Sequence, residues 1–250
     1  MPTSSSPSVH AGYLDYAEGD TVCEGYVAHD TAREGRLPCV LLAHAWDGQN
    51  DFFRAMAERL AGQGYLAFAL DVYGKGVRGG MLDDNSHLMR PFMEDRALLR
   101  RRLLAALDAA RRHPRVDPER IAVLGYCFGG LCALDLARSA PPGLRGAVSV
   151  HGVLHPPNLG PQAQMTTRVL ILHGWEDPTG KPADVLAVTR ELTEAGAGWE
   201  LQAYGHAMHA FTFAGANAPE LGIRYDATAD RRSALAMRTF LEEVLGEAAP

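Results

Sequence analysis

Short runs of apolar residues alternate with helical patterns along most of the chain, and this alternation limits the fold more than any other feature of the sequence. Each run is apolar throughout, which is typical of strands that are buried on both faces. Helices between such strands predict an α/β fold, with a mainly parallel central sheet and helices on both faces. The predicted strands cover residues 40–43, 65–70, 121–124, 147–150, 169–172 and 199–204, and the predicted helices cover residues 52–61, 93–113, 128–138, 182–195 and 228–245.

The domain organisation is predicted to be simple. The 250 residues show no internal repeat, low-complexity tract or interdomain linker. We therefore expect a single domain over residues 11–250, preceded by a polar, Ser/Pro-rich leader over residues 1–10 that is disordered. Hydrophobic residues make up 47% of the chain and charged residues 22%. A globular chain of this size can bury a sufficient core without disulfide bonds.

Charge and cysteine spacing argue against several classes of partner. The formal net charge of −6 argues against nucleic acid or an anionic membrane. The basic stretch over residues 96–115 carries an apolar stripe at helical spacing, so we expect its arginines on the solvated flanks of a helix. The four cysteines lack zinc-ligand spacing, and no segment resembles a secretory signal or a membrane span. These features predict a cytoplasmic protein with free thiols, no metal, no cofactor and a small-molecule partner, and they leave monomer or homodimer open.

One motif is typical of a catalytic nucleophile. Gly125-x-Cys127-x-Gly129 follows a predicted strand and opens a predicted helix. A nucleophile at such a turn has a strained backbone, and the residues two before and two after it approach each other, so both must be small. The helix N-terminus also favours a thiolate and an oxyanion on the substrate. Taken alone, the same residues could mark a small buried cysteine in a Gly-rich contact between helix and sheet.

A carboxylate and a histidine follow in the chain order of α/β-hydrolases, which is nucleophile, acid, histidine. Asp177 comes just after the predicted strand over residues 169–172, and His209 lies between the last predicted strand and the last helix. Glu176 is an alternative to Asp177, and His206 is an alternative to His209, because each lies on the same loop. His44, His151 and His173 also end predicted strands, where we expect them to pack or to form hydrogen bonds around the site.

With these residues in view, the chain resembles the dienelactone hydrolase family of α/β-hydrolases over residues 13–245. The cysteine at the nucleophile position is the most specific sign, since most relatives of this fold carry serine there. The resemblance implies a triad of Cys127, Asp177 and His209, with the backbone N–H groups of Trp46 and Phe128 as the oxyanion hole. The matching blocks are LLAHAWDG (41–48), LAGQGY (60–65), DVYGKG (71–76), GYCFGG (125–130), HGWED (173–177) and HAF (209–211).

Two positions depart from the family pattern. Ala45 stands where relatives carry a glutamate that takes the thiol proton, so we expect His209 to deprotonate Cys127 directly; Asp47 is a weak substitute. Phe213 stands where relatives carry an arginine that binds a substrate carboxylate. We therefore expect Ala45, Phe211 and Phe213 to contact a more apolar ester or lactone. The sequence leaves open whether Arg78 or Arg90 supplies a positive charge instead.

The leading hypothesis is a hydrolase that cleaves a small ester or lactone through an acyl-cysteine intermediate. The alternative is a non-catalytic ligand-binding protein on the same fold. The absence of the family's glutamate and arginine favours this alternative. A redox pair of Cys127 and Cys132 is disfavoured, because cysteines five residues apart on one helix face different sides. We expect Cys23, Cys39 and Cys132 to be structural, and Asp71 to fix its own loop.

Overall fold

The structure, a computed structural model, describes residues 8–80 and 83–246. Its long strands are β1 (Val9–Glu18), β2 (Thr21–Asp30), β3 (Leu37–Ala43), β4 (Leu66–Ala69), β5 (Val116–Tyr126), β6 (Leu144–Val150), β7 (Arg168–Gly174) and β8 (Trp199–Tyr204), and β9 (Asn217–Ala218) and β10 (Ile223–Arg224) form a short hairpin. The helices are α1 (Asp51–Gly62), α2 (Ser86–Glu94), α3 (Arg96–Arg112), α4 (Phe128–Arg138), α5 (Pro182–Glu194) and α6 (Ala227–Leu245).

The long strands form one sheet in the order β1-β2-β4-β3-β5-β6-β7-β8. From β4 to β8 every neighbouring pair is parallel. The predicted mainly parallel sheet is thus confirmed. The order reverses between β3 and β5, so the loops that follow these two strands diverge and leave a crevice at their carboxyl ends. The candidate site lies at this crevice.

Helices cover both faces of the sheet, as predicted. Leu41 and Leu42 are neighbours on β3 and both are fully buried. Leu41 belongs to a core cluster with residues of α3, α4 and α5, whereas Leu42 belongs to a second cluster with residues of α1 and α6. Successive side chains of a strand point to opposite faces. Because both faces are covered, the strand is apolar at every position.

The predicted helix over residues 93–113 was wrong in two respects. It is broken at Asp95, whose carboxylate accepts a hydrogen bond from the Leu98 N–H and caps α3. Its arginines are also not all solvated, since Arg96 and Arg102 are buried. Arg96 forms a bidentate ion pair with Asp135 of α4, with N···O distances of 2.8 and 2.7 Å. An arginine can be buried when a carboxylate satisfies its fork of donors.

The N-terminal part of the sheet was not predicted from the sequence. β1 and β2 form an antiparallel hairpin at one edge of the sheet, and β2 pairs antiparallel with β4. Val9 and His10, which the predicted leader included, belong to β1, while residues 1–7 of that leader lie outside the described residues. In residues 8–80 and 83–246, no helix has the length and apolar character that crossing a membrane requires.

Candidate active site

Cys127 lies at the sharp turn between β5 and α4. Its backbone has φ 56° and ψ −119°, a combination that costs energy for a residue with a side chain. The turn is held because the Cys127 N–H donates to the Val150 carbonyl at 3.1 Å, while the Cys127 carbonyl accepts from Gly130. The Cys127 side chain is partly exposed. The turn therefore presents the thiol at the carboxyl edge of the sheet. We call residues 125–130 the elbow.

The two glycines of the motif are required by close backbone approach. A Cβ atom on Gly125 would overlap the backbone carbonyl of Gly129, and a Cβ atom on Gly129 would overlap the carbonyl oxygen of Ala43. The expected approach of the residues on either side of Cys127 is therefore confirmed. The second contact also brings the end of β3 against the start of α4.

The structure brings Cys127, His209 and Asp177 together. His209 Nε2 lies 3.2 Å from Cys127 Sγ. On the other side of the ring, His209 Nδ1 lies 2.8 Å from Asp177 Oδ2. Because the carboxylate accepts only, Nδ1 carries a proton. The imidazole is thus oriented between an acceptor and a thiol, an arrangement that can move a proton to or from sulfur.

His209 is positioned by contacts from a distant part of its loop. The His209 N–H donates to the Gly222 carbonyl at 2.9 Å, and the His209 carbonyl accepts from the Arg224 N–H at 3.2 Å. His209 also forms an isolated parallel bridge with Ile223 of β10. These bonds hold the histidine main chain against the β9–β10 hairpin. We call residues 205–226 the histidine loop.

Asp177 is oriented by Thr179, a residue that the sequence analysis missed. Asp177 Oδ1 accepts from the Thr179 N–H at 2.8 Å and from the Thr179 hydroxyl at 2.7 Å. These bonds occupy one carboxylate oxygen and leave Oδ2 for His209. A sequence signal existed, because an aspartate whose side chain accepts from the N–H two residues later forms an Asx turn, and residues 177–180 read Asp-Pro-Thr-Gly.

The charges of the three side chains are coupled. Burial acts against a charged imidazole, yet the pKa of His209 is raised to about 10, because Cys127 and Asp177 both interact favourably with its protonated form. Burial alone would raise the pKa of Asp177, but the hydrogen bonds from His209 and Thr179 outweigh it and hold that pKa below its ordinary value. The arrangement therefore favours a protonated imidazole on His209 and an ionised carboxylate on Asp177.

The two alternative residues lie outside this arrangement. The Glu176 and His206 side chains are both exposed, whereas Asp177 and His209 are buried. No hydrogen bond joins Glu176 or His206 to Cys127 among the side chains that the structure describes. The geometry therefore favours Asp177 and His209 over their neighbours.

The two predicted oxyanion donors lie on the two sides of the crevice. Phe128 is the first residue of α4, and the first four N–H groups of a helix have no acceptor within it. Trp46 follows β3, and its carbonyl accepts a hydrogen bond from the Tyr73 hydroxyl at 2.9 Å. The Tyr73 ring stacks on the Phe128 ring, with centroids 5.9 Å apart. One buried tyrosine thus contacts both residues, a connection that the sequence analysis did not predict.

The predicted substrate contacts are only partly accessible. Ala45 and Phe213 are half-buried. The expectation for Phe211 was wrong, because its side chain is fully buried. The Phe211 ring packs edge-on against Tyr204 and His151, with centroids 5.4 and 5.2 Å away. Phe211, two positions after His209, therefore packs in the core beneath the loop.

Of the charged residues considered for the site, Asp47, Asp71 and Arg78 form hydrogen bonds with nearby loops. Asp47 is buried and accepts a hydrogen bond from Asn50 at 2.6 Å. Arg78 donates to the carbonyls of Val77 and Gly74 at 2.7 and 3.2 Å, and Arg90 is exposed on α2. Asp71 fixes its own loop, as expected, since its carboxylate accepts from the N–H groups of residues 73, 74 and 24.

The three other histidines that end strands are buried, and so are the three other cysteines. His44, His151 and His173 are each at most 3% exposed, and the His151 ring lies edge-on to His209 with centroids 5.2 Å apart. All four cysteines are free, and Cys127 is the one with partial exposure. Within the described ranges, no cluster of three or more His, Cys, Asp or Glu side chains could hold a metal ion.

Comparison with known proteins identifies relatives over most of the chain. The model of the dienelactone hydrolase family matches residues 23–245. A Bradyrhizobium protein named a probable 2-oxo-3-(5-oxofuran-2-ylidene)propanoate lactonase is 30% identical over 190 residues, which cover 71% of this chain and 74% of that protein. A Yersinia pestis protein that carries the name carboxymethylenebutenolidase is 28% identical over 219 residues, which cover 81% of this chain and 79% of the relative.

A solved structure extends the similarity to the whole fold. The crystal structure of a dienelactone hydrolase-like promiscuous phosphotriesterase from metagenomic libraries is 35% identical, with a TM-score of 0.89. The match covers 95% of this chain and 99% of the other. These relatives favour a hydrolase over a non-catalytic binding protein.

Proposed function

Because the chain belongs to the dienelactone hydrolase family and is a carboxylic ester or lactone hydrolase, we propose that it cleaves a small ester or lactone through an acyl-cysteine intermediate. The observation that carries this proposal is the short distance of 3.2 Å between His209 Nε2 and Cys127 Sγ, with Asp177 on the far side of the same ring. Three side chains from separate loops meet there in the order that nucleophilic catalysis requires.

The first step is acylation of the sulfur. Cys127 transfers its proton to His209 Nε2, and its thiolate attacks the substrate carbonyl, which forms a carbon–sulfur bond and places a negative charge on the carbonyl oxygen. His209 then donates the proton to the leaving alcohol as the carbon–oxygen bond breaks. Asp177 keeps the proton on Nδ1 and stabilises the imidazolium, because its carboxylate lies 2.8 Å away.

The second step releases the acid. His209 Nε2 takes a proton from water, whose oxygen attacks the thioester carbonyl, and the proton passes to the Cys127 sulfur as the carbon–sulfur bond breaks. In both steps, the N–H groups of Trp46 and Phe128 are the proposed oxyanion donors. The loss of one such donor costs a rate factor on the order of 10²–10³ in comparable enzymes.

The proton acceptor at rest is His209 itself. Ala45 has no carboxylate, and the Asp47 carboxylate is bound by Asn50. The raised pKa of His209, to about 10, makes its imidazole a strong acceptor for the thiol proton. No separate group is then needed to activate the sulfur.

The substrate class follows from the side chains around the crevice. The half-buried Phe213 and Ala45 carry no charge, and Arg78 is bound to main-chain carbonyls. A neutral ester or lactone therefore suits the site better than one with a free carboxylate. A second candidate activity is hydrolysis of a neutral phosphotriester, because the relative of 35% identity is named a promiscuous phosphotriesterase.

We also propose that the protein resides in the cytoplasm. The four cysteines are free, and Cys127 must stay reduced to attack a carbonyl. A reducing cytoplasm meets this requirement.

The test is a panel of chromogenic aryl esters, lactones and one aryl phosphotriester, applied to the parent protein, Cys127→Ala and Cys132→Ala. Cys132 is the matched control, because it is a buried cysteine on α4, the helix that follows Cys127, and has no access to substrate. We expect Cys127→Ala to lose ester turnover by a factor on the order of 10⁴ or more, with its melting temperature unchanged, while Cys132→Ala keeps its activity. Turnover by Cys127→Ala at the parent rate would refute the proposed nucleophile.

A further inference from the structure

The buried imidazole of His44 is bonded at both ring nitrogens to the main chain beside the proposed oxyanion hole. Nε2 lies 3.0 Å from the Val72 backbone nitrogen, and Nδ1 lies 2.7 Å from the Ala45 carbonyl oxygen. His44 is fully buried at the end of β3. The proposed chemistry leaves this side chain without a role.

These two bonds determine the tautomer. A backbone N–H can only donate, so Nε2 must accept from Val72 and carries no proton. Nδ1 therefore carries the proton of the neutral ring and donates it to the Ala45 carbonyl. Burial supports this state, because it lowers the pKa of His44 and disfavours the charged imidazolium.

The Ala45 carbonyl belongs to the same peptide unit as the Trp46 N–H. A trans peptide is planar, and its C=O and N–H point in opposite directions. A donor that fixes the carbonyl at one end therefore fixes the direction of the N–H at the other. Ala45 O also accepts from the Gly48 N–H at 3.2 Å, so two donors hold this peptide. Hydrogen bonds in such a chain polarise one another, which strengthens the terminal donor.

The next peptide is held from the other side. The Tyr73 hydroxyl donates to the Trp46 carbonyl at 2.9 Å, and the Tyr73 ring packs edge-on against His44, with centroids 4.6 Å apart. Tyr73 also stacks on Phe128. His44 and Tyr73 together therefore fix both peptides that flank the Trp46 Cα atom, and they do so against the residue that begins α4.

We propose that His44 is a positioning residue that orients and polarises the Trp46 N–H for the oxyanion. The inference rests on the proposed function, since an oxyanion forms only if a carbonyl is attacked at this site. His44 acts through the main chain and does not touch the substrate.

The experiment separates a reaction that needs the oxyanion hole from one that does not. Acylation of Cys127 by p-nitrophenyl acetate passes through an oxyanion, whereas alkylation of the same sulfur by iodoacetamide is a direct displacement without one. Both rates are measured by acid quench and mass spectrometry on the parent, His44→Phe, His44→Gln and Thr167→Val. His44→Phe keeps the ring against Tyr73 and removes both hydrogen bonds. His44→Gln offers an oxygen for Val72 and an N–H for Ala45.

Thr167→Val is the matched control. The buried Thr167 hydroxyl donates to the Leu144 carbonyl at 2.9 Å, which is a bond of the same type at the opposite end of the sheet. Its loss removes a buried side-chain donor from a main-chain carbonyl without contact to the crevice.

We expect His44→Phe to acylate about 10- to 100-fold more slowly than the parent while iodoacetamide alkylation stays within about twofold, because a misdirected donor weakens only oxyanion stabilisation. His44→Gln should recover most of the acylation rate, and Thr167→Val should match the parent in both reactions. The inference would be overturned if His44→Phe were acylated as fast as the parent, or if acylation and alkylation of His44→Phe slowed by the same factor. It would also be overturned if His44→Gln were acylated as slowly as His44→Phe. Absence of Cys127 acylation in the parent would instead overturn the proposed function, and this inference with it.

Discussion

The elbow that carries Cys127 and the histidine loop that carries His209 reach one site by different means. The elbow is six residues long, and its shape follows from backbone contacts among neighbours, since Gly125 lies against Gly129. In the histidine loop, the main chain of His209 is held by Gly222 and Arg224, which lie 13 and 15 residues further along the chain. The nucleophile is thus positioned by local sterics, whereas the base is positioned by long-range hydrogen bonds.

This difference indicates which substitutions should disturb each part of the site. A local turn built on backbone contact tolerates no added atom, so an atom added there should disturb both the fold and the chemistry. A loop held by a few hydrogen bonds can shift by a fraction of an ångström while the fold persists. Substitutions that displace the anchors of His209 should therefore lower activity while the fold persists.

The largest expected effect comes from a methyl group in the elbow. Gly125→Ala places its Cβ onto the Gly129 backbone, which cannot move without displacing Cys127. We expect hydrolysis to fall to background and the free energy of unfolding to drop by about 3 kcal/mol or more. Thermal melting and initial rates with an aryl ester measure the two effects.

Gly205→Ala is the matched control in the histidine loop. A Cβ atom at Gly205 meets nothing within 4 Å, and its φ lies outside the left-handed range. This variant should keep the parent's melting temperature and rate. If Gly125→Ala were as stable and active as Gly205→Ala, the result would contradict the claim that local backbone contacts determine the shape of the elbow.

A smaller effect is expected from the carboxylate that orients the base. Asp177→Asn should lower kcat/KM by a factor on the order of 10²–10⁴, because the amide neither stabilises the imidazolium nor enforces the tautomer. The sign of the pH effect follows from the charges. Asp177 is one of the groups that raise the pKa of His209 to about 10. Its loss lowers that pKa, so the alkaline fall in activity should begin at lower pH in the variant.

Glu176→Gln is the control for this prediction, because Glu176 is an exposed carboxylate beside Asp177. It should leave both the rate and the pH profile close to those of the parent. Profiles of kcat/KM from neutral to alkaline pH, measured on the three proteins, make the comparison. If kcat/KM of Asp177→Asn fell over the same alkaline pH range as that of the parent, the result would contradict the charge coupling between Asp177 and His209.

The smallest of the three effects concerns the far anchor of the histidine loop. Gly222 has φ 72°, its carbonyl accepts from the His209 N–H, and a Cβ atom there would lie 2.6 Å from Cδ of Pro178. Gly222→Ala should cost about 1–2 kcal/mol of stability and lower kcat about tenfold, because the contact displaces the histidine and the residue next to Asp177.

Gly35→Ala isolates the backbone cost in this prediction. Gly35 has φ 73°, almost the same value, but a Cβ atom there meets nothing within 4 Å. It should lose similar stability and keep its kcat. If the two variants were equally active, the contact between Gly222 and Pro178 would have no influence on the site.

The parts of the fold that follow from local pattern were predictable from the sequence. Strands buried on both faces are apolar at every position, so β3, β5 and β7 could be recognised without the structure. The elbow could be recognised because its glycines and its place between strand and helix are local features. The antiparallel β1–β2 hairpin was missed, since many of its side chains are partly exposed and no continuous apolar run marks it.

Features that depend on tertiary contacts could not be predicted in the same way. The burial of Arg96 requires Asp135, which lies 39 residues away. Phe211 follows the histidine closely, but only the packing against Tyr204 and His151 shows that it faces the core. His44 could be placed at the end of its strand, whereas its two main-chain bonds depend on how the loops after β3 and β4 meet.

The central claim is that the Cys127 sulfur carries the acyl group during turnover. The most direct measurement is rapid acid quenching of the parent protein with a p-nitrophenyl ester, followed by intact-mass analysis and peptide mapping. We predict one acyl group per chain, attached to the peptide that contains Cys127 and absent from Cys127→Ala. Steady hydrolysis of the ester with no acylated protein at any time, or with the acyl group on another residue, would contradict this account.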